Sequence, residues 1–183
     1  MIPQISKAIF LDRDGVINKV VFRNGNSKKP IAPWNLKEFN LLPSIKLPLI
    51  NLKKLGFKLF IVTNQPDIGK GIIDHSFINK VNEIISRELP IDEIRVCPHI
   101  DSDGCQCRKP KAGMLLSLAK KWNIDCKSSF LIGDNWKDIE AGKKAGSISI
   151  LLKKHYNVAV EADYKSINLF EAVKIINKLH NYK

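Results

Sequence analysis

The sequence predicts an α/β fold, a Rossmann-like parallel sheet with helices on both faces. Short apolar runs alternate with amphipathic segments, which is the pattern of βαβ units rather than of hairpins. The strand-like runs stay apolar at successive positions, as strands covered on both faces do. Acidic and phosphate-binding residue types follow those runs directly, where an open parallel sheet binds its ligands.

Each element follows in order. Lys7 to Leu11 (KAIFL) is a short buried strand ending in acidic residues. Ser44 to Leu55 is a helix with Ile45, Leu49, Leu52 and Leu55 at helical spacing; Pro48 falls near its first turn, where proline costs least, and Gly56 stops it. Lys58 to Val62 (KLFIV) is the second strand. Asp74 caps a helix running through Glu88, with Phe77, Ile78, Val81, Ile84 and Ile85 inward. Ile94 to Cys97 is a third strand, Lys111 to Trp122 a helix, and Ser129 to Ile132 a fourth strand. A helix from about Trp136 to Ala145, a fifth strand over Ser147 to Leu152 and a closing helix over Ile167 to Leu179 complete the set. Residues 19–40 carry Gly, Asn and Pro and predict a long loop, which in a compact domain is a lid or binding loop. Residues 1–183 are expected to form a single domain.

Composition narrows the class. The chain is 44% hydrophobic and 26% charged, which is globular rather than disordered or fibrous. No apolar run reaches the ~20 residues of a membrane span, and the N-terminus MIPQISKAIF lacks the regions of a signal peptide. A cytoplasmic protein, monomeric and without a membrane partner, is therefore expected. The net charge is +12, which suits an anionic partner, but the lysines are scattered and no block of like charge appears. Basic residues do not interleave with aromatics, so nucleic acid is not the expected partner.

The strand ends carry the chemistry. The first gives LDRDGV, with Asp12 and Asp14 two apart and Gly15 allowing a sharp turn. Carboxylates this close repel, and a cation or a raised pKa is needed to tolerate them. Mg²⁺ takes oxygen ligands, and Asp12, a main-chain carbonyl near Asp14, and Asp134 are the candidates. Unprotonated Asp12 is a nucleophile toward phosphorus, and protonated Asp14 a donor to a leaving oxygen. The second strand end gives Thr63, Asn64 and Gln65 as candidate phosphate-binding residues, followed by Gly69-Lys70-Gly71 as a flexible turn. The fourth gives GDNWKD. There Asp134 is either a ligand or a helix cap, and Asp138, one turn on, supports its neighbour or the helix dipole.

The segment CPHIDSDGCQCRKP places Cys97, His99, Cys105 and Cys107 within eleven residues. Three thiolates and an imidazole match a closed tetrahedral Zn²⁺ site with no open position for catalysis. Such a site staples a loop. It fixes Arg108 and Lys109 near the sheet edge, Arg for bidentate recognition of phosphate or hydroxyl and Lys as a point charge. Among the remaining candidates, His75 is expected at the surface and Cys126 as a buried thiol, while Trp34 and Trp136 either line a pocket or pack.

FLDRDGVIN, VTNQ, CPH…CQCRKPKAGMLL and LIGDNWKDIEAG together resemble the haloacid dehalogenase superfamily of phosphatases. More narrowly they resemble its heptose 1,7-bisphosphate 7-phosphatases, a branch shared with histidinol-phosphate phosphatases. The resemblance runs from about Lys7 to Leu152. It implies the haloacid dehalogenase fold without a large cap domain and with a zinc-stapled loop. It also implies an aspartyl-phosphate on Asp12, Asp14 as general acid and then base, and Mg²⁺ held by Asp12, the main chain of Asp14, and Asp134. Thr63 and Lys109 would bind the transferring phosphoryl group, and Arg108 would recognise the substrate. The implied substrate is a sugar bisphosphate of lipopolysaccharide-precursor synthesis, with its second phosphate met by Arg108 and a cation from Lys19, Arg23, Lys28 or Lys29. Pro66-Asp67, Val16 and the length of the 19–40 loop depart from the family pattern.

Overall fold

The computed structural model describes residues 5–23 and 29–181; Lys28 lies outside them. Its centre is a six-stranded sheet in the order β3-β2-β1-β4-β5-β6. The strands are β1 (Ala8–Leu11), β2 (Lys58–Asn64), β3 (Glu93–Cys97), β4 (Phe130–Gly133), β5 (Ile148–Leu152) and β6 (Tyr164–Ser166). Every neighbouring pair is parallel. The helices are α1 (Lys46–Lys54), α2 (Pro66–Gly69), α3 (His75–Glu88), α4 (Gly113–Trp122), α5 (Trp136–Ala145) and α6 (Leu169–Asn181).

Side chains alternate along each strand, so the sheet feeds two cores. Ile9, Leu11, Leu59 and Ile61 pack with Leu49 and Leu52 of α1, Val81 and Ile85 of α3, and Ala172, Val173 and Ile176 of α6. Ala8, Phe10, Phe60, Val62 and Leu131 face the other way, onto Met114, Leu115 and Leu118 of α4 and Ala141 and Ala145 of α5. The expected parallel sheet with two covered faces is therefore present. Asp74 caps α3 by accepting from Phe77 N at 3.1 Å, and Gly56, whose φ is +84°, follows the C-cap of α1 at Leu55.

Two elements go beyond the sequence reading. β6 is a three-residue edge strand with two exposed positions, too short and too polar to announce itself as an apolar run. α2 is a single turn beginning at Pro66, where the fixed φ of proline suits a first helical position. Cys126 opens a short 3₁₀ turn and is half-buried rather than buried, and His75 is exposed. Among the described residues, no helix is long and apolar enough to cross a membrane.

This strand order has a switch point. β1 lies between β2 and β4, and the chain leaves the two in opposite directions along the sheet. A crevice opens outside the carboxyl ends of strands at such a point.

Candidate active site

A cavity of ≈ 490 Å³ occupies that crevice. Asp12 and Asp14 reach it from the end of β1, Asn64 from β2, and Asp134 and Asp138 from β4 and α5, while Arg108 and Lys109 come from the loop after β3. These seven residues thus converge from four strand ends.

Asp12, Asp134 and Asp138 each offer an oxygen within 4.8 Å of the others. Two glycines permit this crowding. A Cβ at Gly15, whose φ is +87°, would lie 1.9 Å from Asp134 Oδ2, and one at Gly133 would lie 2.3 Å from Asp138 Cβ. Asn135, not Asp134, caps α5, accepting from Lys137 N at 3.1 Å. Asp138 Oδ2 closes a capping box by accepting from Asn135 N at 3.0 Å. Relieved of the capping role, Asp134 turns into the cavity.

Lys109 is the cation at the centre of this cluster. Its Nζ donates to Asp12 Oδ1 at 2.7 Å, Asp138 Oδ1 at 2.5 Å and the Val62 carbonyl at 2.7 Å. Its side chain is 2% exposed. Burial alone would lower its pKa, but the Asp12 and Asp138 charges outweigh burial and raise it. Lys109 therefore stays an ammonium with all three protons placed. Its backbone is held as firmly. Asn64 Nδ2 donates to the Lys109 carbonyl at 2.9 Å, and Lys109 N donates to Asn64 Oδ1 at 3.0 Å. Asn64 lines the cavity, but its amide is spent on placing Lys109.

One ammonium does not balance three carboxylates. Burial first, then Asp138, raises the Asp12 pKa well above its ordinary value despite Lys109. The same two causes raise Asp134 to about 7. Such a cluster could hold a hard divalent cation, whose charge would offset the repulsion. Tyr156 Oη donates to Asp134 Oδ2, and Asn157 Nδ2 donates to the Asp134 carbonyl at 2.7 Å. Both lie beyond β5. The strand-end rule that located the other residues points there too, but no acidic or motif residue draws attention to that loop.

Asp14 stands apart from the cluster. Its oxygens accept from Arg13 Nη2 at 3.1 and 3.2 Å, Asn18 Nδ2 at 2.9 Å and Gln65 Nε2 at 2.7 Å. Arg13 and Asn18, fully buried, were not anticipated. Gln65 and Thr63 are buried as well. Thr63 Oγ1 accepts from Gln65 Nε2 at 3.0 Å, so Gln65 links Thr63 to Asp14 behind the cavity wall. Trp136 lines the cavity and Trp34 does not.

The Cys/His segment is a separate cluster. Sγ–Sγ separations are 3.7 Å for Cys97–Cys105, 3.2 Å for Cys97–Cys107 and 3.5 Å for Cys105–Cys107. His99 Nδ1 lies 3.6 Å from Cys97 Sγ and 3.2 Å from Cys107 Sγ. A tetrahedral Zn²⁺ with bonds of about 2.3 Å to S and 2.0 Å to N has edges of about 3.5–3.8 Å, so the four atoms fit one with small adjustments. Burial, then the Cys107 contact, pushes the Cys97 thiol up to about 12. A bound cation would reverse that.

Comparison with known proteins places this geometry. A family profile described as HAD-hydrolase-like matches residues 106–173. The chain is 34% identical to the D-glycero-alpha-D-manno-heptose-1,7-bisphosphate 7-phosphatase of Campylobacter jejuni, over 97% of this chain and 95% of that one. It is 36% identical to the beta-heptose counterpart of Rhodopseudomonas palustris, over 76% and 79%. The fold is similar to the crystal structure of the D,D-heptose 1,7-bisphosphate phosphatase of B. bronchiseptica, described as complexed with magnesium and phosphate. That match has a TM-score of 0.79 at 24% identity, covering 94% of this chain and 99% of that one. With a third of its residues shared along nearly the full length of both chains, and the carboxylate cluster at its strand ends, the chain belongs to the HAD-like hydrolases, in the family of the heptose-1,7-bisphosphate 7-phosphatases.

Proposed function

We propose that the protein is a phosphatase that removes the 7-phosphate of a heptose 1,7-bisphosphate through an aspartyl-phosphate on Asp12. What supports the chemistry is the single contact between Lys109 Nζ and Asp12 Oδ1 at 2.7 Å. It orients one oxygen of Asp12 toward Lys109 and leaves the other as the attacking atom. Attack on phosphorus forms the Asp12–phosphorus bond and breaks the bond to the sugar oxygen. Asp14 gives that oxygen its proton and then takes one from the water that hydrolyses the intermediate. The ammonium of Lys109, already paid for in desolvation, meets the charge that spreads over the phosphoryl oxygens.

Asp12, Asp134 and the main-chain carbonyl of Asp14 are the residues that would hold Mg²⁺, with Asp138 orienting Lys109 beside them. When bound, Mg²⁺ supplies charge neutralisation at the phosphoryl oxygens. Thr63 and Gln65 act from behind, through Asp14 and the end of β2. The Cys97, His99, Cys105 and Cys107 cluster takes a structural Zn²⁺ and holds Arg108 and Lys109 in place.

The substrate reading rests on the cavity rim. Lys29, Lys70, Arg108 and Lys137 line the same cavity as Asp12 and Asp14. Arg108 Nε donates to Asp101 Oδ1 at 2.7 Å, and Lys70 pairs with Asp67 at 2.9 Å. A rim this cationic suits a substrate with a second phosphate and repels the ammonium of histidinol phosphate. Of the four cations expected to meet that phosphate, Lys29 reaches the cavity, whereas Arg23 is turned to Glu38.

With Mg²⁺ present, kcat/KM on heptose 1,7-bisphosphate should exceed that on histidinol phosphate by about tenfold or more, the worth of one charge-assisted hydrogen bond; the reverse order would overturn the substrate. In the same assay Asp12→Asn should release no phosphate while its circular dichroism matches the wild type.

For the acidic cluster, Asp134 is raised in the folded state to about 7 from 3.8, so its protonated form is the stable one there. The stability of the metal-free protein tied to this group is complete below pH 3.8 and is lost as the pH rises to about 7. Mg²⁺ replaces that proton, so the gain in Tm on adding Mg²⁺ should be larger at pH 8 than at pH 5.5. Equal gains would argue against a metal at Asp134.

Elemental analysis of untagged protein should find about one zinc per chain, and Cys105→Ser should lower Tm, because structural zinc contributes directly to folding. Absence of zinc from freshly purified protein refutes the staple.

A further inference from the structure

The long loop forms one wall of the cavity. Its two described legs pair through Val21 N to Ile31 O at 2.9 Å and Ile31 N to Val21 O at 3.0 Å. Its base is tied by Lys19 N to Asn40 O and Leu42 N to Ile17 O, both at 2.9 Å. Val20, Lys29, Pro30, Ile31 and Ala32 line the cavity. Those backbone bonds shape the loop and fix its root. They do not set how closely the wall approaches the reacting groups.

A side-chain hydrogen bond does reach across. Trp34 Nε1 donates to Asp67 Oδ2 at 2.8 Å. Both partners are held in place. The Arg23 guanidinium lies 3.8 Å over the Trp34 ring and pairs with Glu38, and Glu38 Oε2 accepts from Trp34 N at 2.8 Å. Asp67 is 9% exposed, and its other oxygen accepts from Lys70 Nζ at 2.9 Å. Pro66 fixes the first residue of α2 immediately before it. Asp67 also lies two residues after Gln65, whose amide donates to Asp14. One short segment therefore serves both the acid and the wall.

We propose that the Trp34–Asp67 hydrogen bond is a latch that sets the position of the 29–32 wall, making Trp34 and Asp67 positioning residues for substrates long enough to reach it. The latch acts through Lys29 and Ile31 and touches no reacting atom. It rests on the phosphatase reading but not on the heptose. A minimal phosphoryl donor such as acetyl phosphate lies against Asp12 and Asp14 and does not extend to the wall. An extended sugar phosphate does, and its binding registers any displacement.

The test compares Trp34→Phe, Asp67→Ala and Asp67→Asn with wild type on acetyl phosphate and on an extended sugar phosphate. The extended substrate is whichever one of heptose 1,7-bisphosphate and histidinol phosphate the wild type prefers, so an error in the heptose reading appears in the wild type before any variant is scored. Trp34→Phe keeps the ring under Arg23 but loses the donor, and Asp67→Asn keeps a side-chain oxygen as acceptor. Trp34→Phe and Asp67→Ala should raise KM for the extended substrate about tenfold with kcat nearly unchanged and acetyl phosphate turnover intact. Asp67→Asn should stay close to wild type. Wild-type KM in Trp34→Phe, equal damage from Asp67→Asn and Asp67→Ala, or parallel loss on acetyl phosphate would each overturn the latch. A readout free of substrate is the Trp34 indole N–H resonance, assigned by its disappearance in Trp34→Phe. It should move in Asp67→Ala and hold in Asp67→Asn, and an unmoved resonance in Asp67→Ala also overturns the proposal.

Discussion

The structure is organised around an imbalance of buried charge. Asp12, Asp134 and Asp138 meet in a space that excludes most water, and the Lys109 ammonium donates to two of them. Carboxylates so placed repel one another strongly because little solvent screens them. Most of the local architecture can be understood as what holds this arrangement against that repulsion. Gly15 and Gly133 remove the side chains that would block the approach. The capping box at the start of α5 fixes one oxygen of Asp138, and Tyr156 and Asn157 hold Asp134 at both its side chain and its carbonyl. The resulting deficit of positive charge suits the site to a cation.

The Cys/His segment belongs to the same arrangement, though it stands outside the cavity. Cys97 ends β3 and pairs in register with Asn64, and Asn64 holds the backbone of Lys109 on both sides. Lys109 itself comes two residues after Cys107. A metal held by these four side chains would restrict the chain between the sheet edge and its central cation. The ammonium must sit within about 3 Å of two carboxylates to be of use, and a loop without such a staple places a long lysine side chain less sharply.

Much of this was legible in the sequence, for identifiable reasons. Strands buried on both faces announce themselves as unbroken apolar runs, so KAIFL, KLFIV and their successors marked β1, β2, β4 and β5. Asp12, Asp14 and Asp134 were legible because acidic residues at the end of a greasy run have no packing explanation. The edge strand β6 was not, since two exposed residues and one buried serine carry no periodicity. Tyr156 and Asn157 escaped because their partner lies 22 and 23 positions away, and a lone Tyr or Asn in a loop has many ordinary explanations. Asn64 and Gln65 stand at the strand end that the sequence indicates. Their position after β2 showed that they border the site, whereas which hydrogen bond each makes depends on Lys109 and Asp14, contributed by other strands. Trp34 shows the same limit, since only tertiary structure brings its indole to Asp67.

The span of the Lys109 contacts bears on how the molecule comes into being. Lys109 meets Asp12 across 97 positions and Asp138 across 29. Contacts that distant close large loops before they give anything back, which makes parallel sheets slow to form. A chain emerging from its N-terminus carries Asp12 early, yet β4 and the start of α5 come only after residue 129. Until they dock, Asp12 lacks the two carboxylates that crowd it. Competence therefore arrives together with the last strands of the sheet, and a nascent or partly unfolded chain exposes an ordinary surface carboxylate in its place.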